Sequence, residues 1–218
     1  MPIHAILGKA DFSRCRGGKE MRSVVISAVV AVAGGVCGAL LSQNETLFAA
    51  KVSAPASDPA INWTTPAIAG YGKVHYDASS AFQPSSALSN KVVFKVSRGA
   101  EERSQVNPAL EHVAQVVNTY VAAGVPAKQL KFVVAVNGEA TPAMLENTRF
   151  RQLFGVDNPN LALISALEQQ GVKVTVCDQA LAWHHYEPQW IADSVIHTPS
   201  ALTTMTTLQN QGYALLSM

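Results

Sequence analysis

Gly171-Val-Lys-Val-Thr-Val-Cys177 is the stretch whose reading decides the fold. Val172–Val176 is an apolar, β-branched run suited to a buried strand. Gly171 stops the helical pattern before it, and Cys177 marks where strand passes into loop. Two earlier runs share this character: Lys91–Ser97 (KVVFKVS) and Leu130–Val136 (LKFVVAV). Between those two, Val113, Val116, Val117 and Tyr120 recur at helical spacing. Pro108 suits the first turn of that helix, which runs to about Ala123 before Gly124 ends it and Pro126 bars continuation. Further helical stretches are expected around Pro142–Gln152 and from Asn160 to Gln170. After an irregular stretch, Asp193–Ile196 is expected as a short fourth strand. Thr198 and Pro199 read as the N-cap and first-turn pair of a helix ending near Gln211. Gly212 terminates it, and Tyr213–Leu216 forms a last strand.

Strands alternating with helices predict an α/β fold: one compact domain over 91–218, with a mostly parallel sheet and helices on both faces. Such sheets meet their ligands at the carboxyl ends of the strands. Three loops qualify there: Ser97–Asn107, Asn137–Thr141 and Cys177–Glu187. At 218 residues the chain is long enough for one such domain plus appendages.

The appendages lie at the front. Ser23–Asn44 carries no charged side chain and follows Lys9, Arg14, Arg16, Lys19 and Arg22. Its length suits a membrane crossing, and the basic flank predicts that the rest of the chain is translocated. Residues 1–50 therefore read as an export segment and the body as periplasmic. The segment is either a cleaved signal or a retained anchor, the only membrane contact expected. Phe48-Ala49-Ala50 and Val52-Ser53-Ala54 each offer a signal-peptidase pattern, although Pro55 disfavours the second. Met21 is an alternative start that leaves a compact Met-Arg before the apolar run. Residues 51–90 are an irregular arm rich in Ala, Ser and Pro, whose Trp63, Tyr71, Tyr76 and Phe82 read as staples onto the domain.

Charge narrows the function classes. From Lys91 onward there are nine Lys and Arg against ten Asp and Glu. A domain without basic excess has no footprint for nucleic acid. Rossmann and P-loop glycine spacings are both absent, and no cofactor is implied. His184 and His185, with Asp178 and His197, match no zinc spacing, and adjacent histidines point in different directions, so no metal is expected. Asn137-Gly138 and Thr141-Pro142 could turn backbone N–H groups toward an anion, or form an ordinary turn with an N-cap.

Cys177 is the remaining candidate. Cys15 and Cys37 lie in the export segment, so the mature domain has one thiol and no internal disulfide. Such a thiol is either inert core filling or free for chemistry. Its place after an apolar strand, beside Asp178 and Gln179, predicts exposure. A turn of His184 or His185 toward it would favour the thiolate.

Four segments carry a resemblance: LKFVVAVNG-x-A, GVDNPNLAL at 155–163, GVKVTVC-x-Q-x-L at 171–181, and LQNQGYAL at 208–215. Together they resemble the DsrE/DsrF-like sulfur-relay family, closest to its exported branch, over about Lys91 to Leu216. The resemblance implies a five-stranded, mostly parallel sheet and a homo-oligomer, a trimer or hexamer. It also implies a persulfide carrier or sulfur-transfer protein with a sulfur donor or acceptor protein as partner. The catalytic role maps onto Cys177, and Asn137, Gly138, Asp178, Gln179, His184 and His185 are the candidate pocket. The family pattern has glycine at Asp178 and often histidine at Asn137. A carboxylate beside the thiol works against the thiolate, and loss of the histidine removes a proton-transfer partner. The competing reading is a small-ligand or protein-binding module in which Cys177 is packing. A thiol–disulfide oxidoreductase would need a partner's thiol, since no Cys-x-x-Cys is present.

Overall fold

Lys91–Val96 (β1) and Lys131–Val136 (β2) lie in parallel register, with Val93 opposite Val133 and Phe94 opposite Val134. Lys173–Cys177 (β3) pairs with β2, and Ile196–Thr198 (β4) with β3. Ala214–Ser217 (β5) returns to the other side of β1. The sheet order is β4-β3-β2-β1-β5, with every pairing parallel. These relations come from a computed structural model that describes residues 61–218. The segment expected to direct export, its expected cleavage patterns, Cys15 and Cys37 lie outside the described residues.

Pleating sorts the strands' side chains onto two faces, because successive residues point opposite ways. Phe94, Val96, Phe132, Val134, Val136, Val174 and Val176 face a large core. It is closed by Pro108–Ala122 (α1), Asn147–Phe154 (α2) and Leu161–Gln169 (α3) through Leu110, Val113, Val117, Phe150, Leu163 and Leu167. Val93, Val133, Ala135 and Cys177 face the other way, under Ala201 and Met205 of Ala201–Asn210 (α5). The chain steps from β1 to β4 in one direction, then crosses back from β4 to β5. Right-handed crossovers in opposite directions place their helices on opposite faces.

Local signals hold at several ends. Asn107 caps α1 by accepting from the Ala109 N–H at 2.9 Å, with Pro108 in the first turn. α3 starts one residue after Asn160 and ends before Gly171. Several boundaries differ from the sequence-based expectation. The fourth strand is Ile196–Thr198 and not 193–196, because a turn closed by the Val195 N–H on the Ala192 carbonyl uses up the preceding residues. Thr198 is therefore a strand residue paired with Cys177, and Ser200 caps α5 instead, accepting from the Leu202 N–H. The helical stretch expected over Pro142–Gln152 is two pieces, a 3-10 helix Gly138–Met144 and α2. Leu145 and Glu146 between them are drawn into backbone pairing with Ile191 and Trp190. Thr141 is fully buried within the 3-10 helix and makes no cap. The loop expected after Cys177 begins as a seven-residue helix, Asp178–His184 (α4).

Residues 61–90 pack against α1. A bridge pairs Thr64 with Val74, and Ile68 and Val74 are buried. Asn118 of α1 pins this segment, accepting from the Ala67 and Ile68 N–H groups and donating to the Tyr71 and Gly72 carbonyls, each at 2.9 Å. Gly72 is required at the crossing, since a Cβ there would lie 2.2 Å from the Gln115 nitrogen. Tyr71 packs on the main core and Trp63 stands edge-on to His75, but Phe82 is fully exposed and staples nothing.

Candidate functional site

Among the described residues, two of the clefts near the carboxyl edge of the sheet exceed 300 Å³. The larger, about 460 Å³, runs beyond β1 along the start of α1 past Arg98 and His112, and holds no thiol. The second, about 320 Å³, is lined by Cys177 at the end of β3, by Asn137 and Gly138 just past β2, and by the start of α5. β2 leads on to α3 on one face, whereas β4 leads to α5 on the other. The end of β3 therefore opens where the connections diverge, the crevice in which open α/β sheets bind ligands.

Cys177 is 5% exposed, against the expectation of an exposed thiol. The pleat explains the difference. Val174 and Val176 take the α1 face, so Cys177 falls beneath α5, among Ala180, Ala201 and Met205. It is also the residue at the N-cap of α4, and its side chain makes no capping bond. The side chain thus packs on one side and borders the cavity on the other.

The remaining candidates separate into two groups. Asn137, Gly138 and Gln179 line the cavity with Cys177; Asp178, His184 and His185 do not. Asp178 accepts from His197 Nδ1 at 2.8 Å. His197 sits opposite Val176, whose side chain enters the α1 core, so this pair lies on the face away from the thiol. His184 donates from Nε2 to the Gly138 carbonyl at 2.9 Å and stacks on Tyr186 at 5.3 Å. Neither histidine lines the cavity that Cys177 borders. Their divergence follows from adjacency: His184 ends α4, while His185 takes a left-handed φ of 57° and stays exposed. Among the described residues, no three His, Cys, Asp or Glu side chains gather as a metal site.

Asn137 Oδ1 is buried and has no hydrogen-bond partner among the described residues. An unpaired buried acceptor is costly, and this one belongs to a residue lining the cavity. Gly138, at φ +56°, makes the turn out of β2 tight enough that a Cβ would stand 3.2 Å from the Ser97 carbonyl oxygen. Trp183, Ser200, Ala201 and Leu202 also line the cavity and were not legible as site residues. Recognising α4 as a helix would have placed Trp183 one turn beyond Gln179. The other three required the pairing of β4 with β3.

The DsrE/DsrF-like family model matches residues 90–218, more than half of the chain. The chain belongs to the DsrE/DsrF-like family. This DsrE/DsrF-like domain accounts for the whole sheet and for both walls of the Cys177 cavity. No curated protein matches the chain. Among solved structures, a protein of unknown function, MTH1491 from Methanobacterium thermoautotrophicum, is similar at 17% identity and a TM-score of 0.43. The similarity covers 58% of this chain and 97% of that one.

Proposed function

We infer that the protein is an exported sulfur carrier that holds a persulfide on Cys177. One observation carries this reading: the domain's thiol stands at the carboxyl end of a central strand and borders the cavity formed there. The step balances as Cys177–S⁻ plus R–S–SH giving Cys177–S–SH plus R–S⁻. The thiolate attacks the outer sulfur, the S–S bond of the donor breaks, and the donor thiolate R–S⁻ leaves with the bonding pair. Asn137, which lines the same cavity, keeps a buried Oδ1 without a partner among the described residues.

Further features support the setting. The uncharged run Ser23–Asn44 behind a basic flank favours export to the periplasm. The edge strands leave Ile196, Leu215 and Leu216 exposed, which favours self-association into a homo-oligomer, since open apolar edges invite pairing. A donor or acceptor protein is the natural second partner.

The burial of Cys177 favours a second reading, a ligand-binding module in which the thiol only packs. Loading distinguishes them. The full chain carrying Cys15→Ser and Cys37→Ser is incubated with an alkyl hydropersulfide and its mass taken before and after reduction. A reducible gain of one sulfur atom that vanishes on Cys177→Ser supports the carrier. No gain in the folded protein, with normal gain after denaturation, gives the site to the binding module.

A further inference from the structure

Resting on the sulfur-carrier reading, we propose that the Cys177 cavity selects uncharged sulfur donors and rejects anionic ones, with Trp183 and Leu202 as the specificity-determining residues. The polar side chains that line the cavity are Asn137, Gln179 and Ser200, none of them charged. Trp183 and Leu202 stand at its mouth, 83% and 65% exposed, so a donor passes two apolar side chains on its way to the thiol.

An anionic donor meets two penalties there. Moving an anion against apolar surface without a counter-ion costs solvation. The attacking sulfur is itself a thiolate, so a second negative charge is repelled at short range. The charged groups nearby do not relieve this. Asp178 and His197 pair on the opposite face of the sheet. Lys95, Lys131 and Lys173 share the α5 face by strand alternation, yet none lines the cavity. His184 lies outside the lining, its Nε2 committed to the Gly138 carbonyl. The volume of about 320 Å³ suits a small molecule or one extended side chain.

Methanethiosulfonates test charge selection separately from sulfur loading. The thiolate attacks the sulfenyl sulfur, so Cys177–S⁻ plus CH₃SO₂–S–R gives Cys177–S–S–R and CH₃SO₂⁻. Two reagents of similar length are compared, neutral propyl and anionic 2-sulfonatoethyl, on the full chain with Cys15→Ser and Cys37→Ser. Each rate is divided by that of the same reagent with N-acetylcysteine amide, which removes intrinsic reactivity. The anionic reagent is expected to be slower by about tenfold after this correction. Trp183→Lys, at an exposed position that tolerates substitution, should raise the anionic rate relative to the neutral one. Equal corrected rates overturn the proposal, as does a ratio unmoved by Trp183→Lys, or a thiol that neither reagent reaches in the folded protein. Charge selection without loading by hydropersulfide sinks the carrier reading alone. Loading without charge selection sinks this proposal alone.

Discussion

His184 Nε2 donates a 2.9 Å hydrogen bond to the Gly138 carbonyl, tying the last turn of α4 to the second residue after β2. Cys177 lies at the other end of α4, and Gly138 forms the wall across the cavity. This bond therefore adds a tie between the two walls beyond the β2–β3 pairing.

His184→Ala should cost about 1 kcal/mol of stability, the usual net worth of a hydrogen bond. It should also speed alkylation of Cys177 in the folded protein, because α4 is freed at its carboxyl end. Urea unfolding and native-state alkylation measure the two effects. Stability lost with no change in alkylation would make His184 a structural residue only.

Asn118 makes four hydrogen bonds to residues 67–72 from one buried carboxamide. Asn118→Ala leaves those backbone groups unpaired and should cost about 3 kcal/mol. Gly72→Ala should also destabilise, since its Cβ meets α1 backbone and its φ is +57°. Trp63→Ala, at an exposed position, should stay within about 0.5 kcal/mol of the parent. Denaturant midpoints report all three, and an Asn118→Ala midpoint equal to the parent's would show that the segment does not stabilise the domain.

Burial raises the Tyr186 phenol above its usual value, with Arg103 opposing the shift and Glu139 adding to it. Its folded pKa thus exceeds its unfolded one, near 10. The stabilisation from the neutral phenol is complete below about pH 10 and fades as pH rises through the folded value. Tyr186→Phe should remove this part of the alkaline loss. Relative to the variant, the parent should lose stability as pH rises above about 10, measured by urea unfolding. Parallel curves for the two proteins would contradict the shift.

Asp157 shows the opposite sign. Hydrogen bonds from Asn147, then Arg151, hold its carboxyl below the usual value. Stability from this group is present above the unfolded pKa near 3.9 and lost as pH falls through the lower folded value. Asp157→Asn should flatten the acid limb of the stability curve below pH 4, and an unchanged limb would show that the group contributes nothing.

The sequence by itself determined the fold class and the central strands. KVVFKV, KFVVAV and KVTVC are β-branched apolar runs with glycine-stopped helical patterns between them, and such runs need both faces covered. It also placed Cys177, Asn137 and Gly138 at strand ends. Tertiary structure alone decided what surrounds them. Pairing shortened the fourth strand to Ile196–Thr198, because backbone bonds to β3 outweighed the local capping preference of Thr198. The pleat turned the Cys177 thiol under α5 and sent Asp178 with His197 to the other face. The α4 helix, too short to show a period, fixed His184 on Gly138 and carried Trp183 to the mouth of the cavity. Local preference governs where an element starts. Burial on one face or the other, which no short window encodes, governs what its side chains can reach.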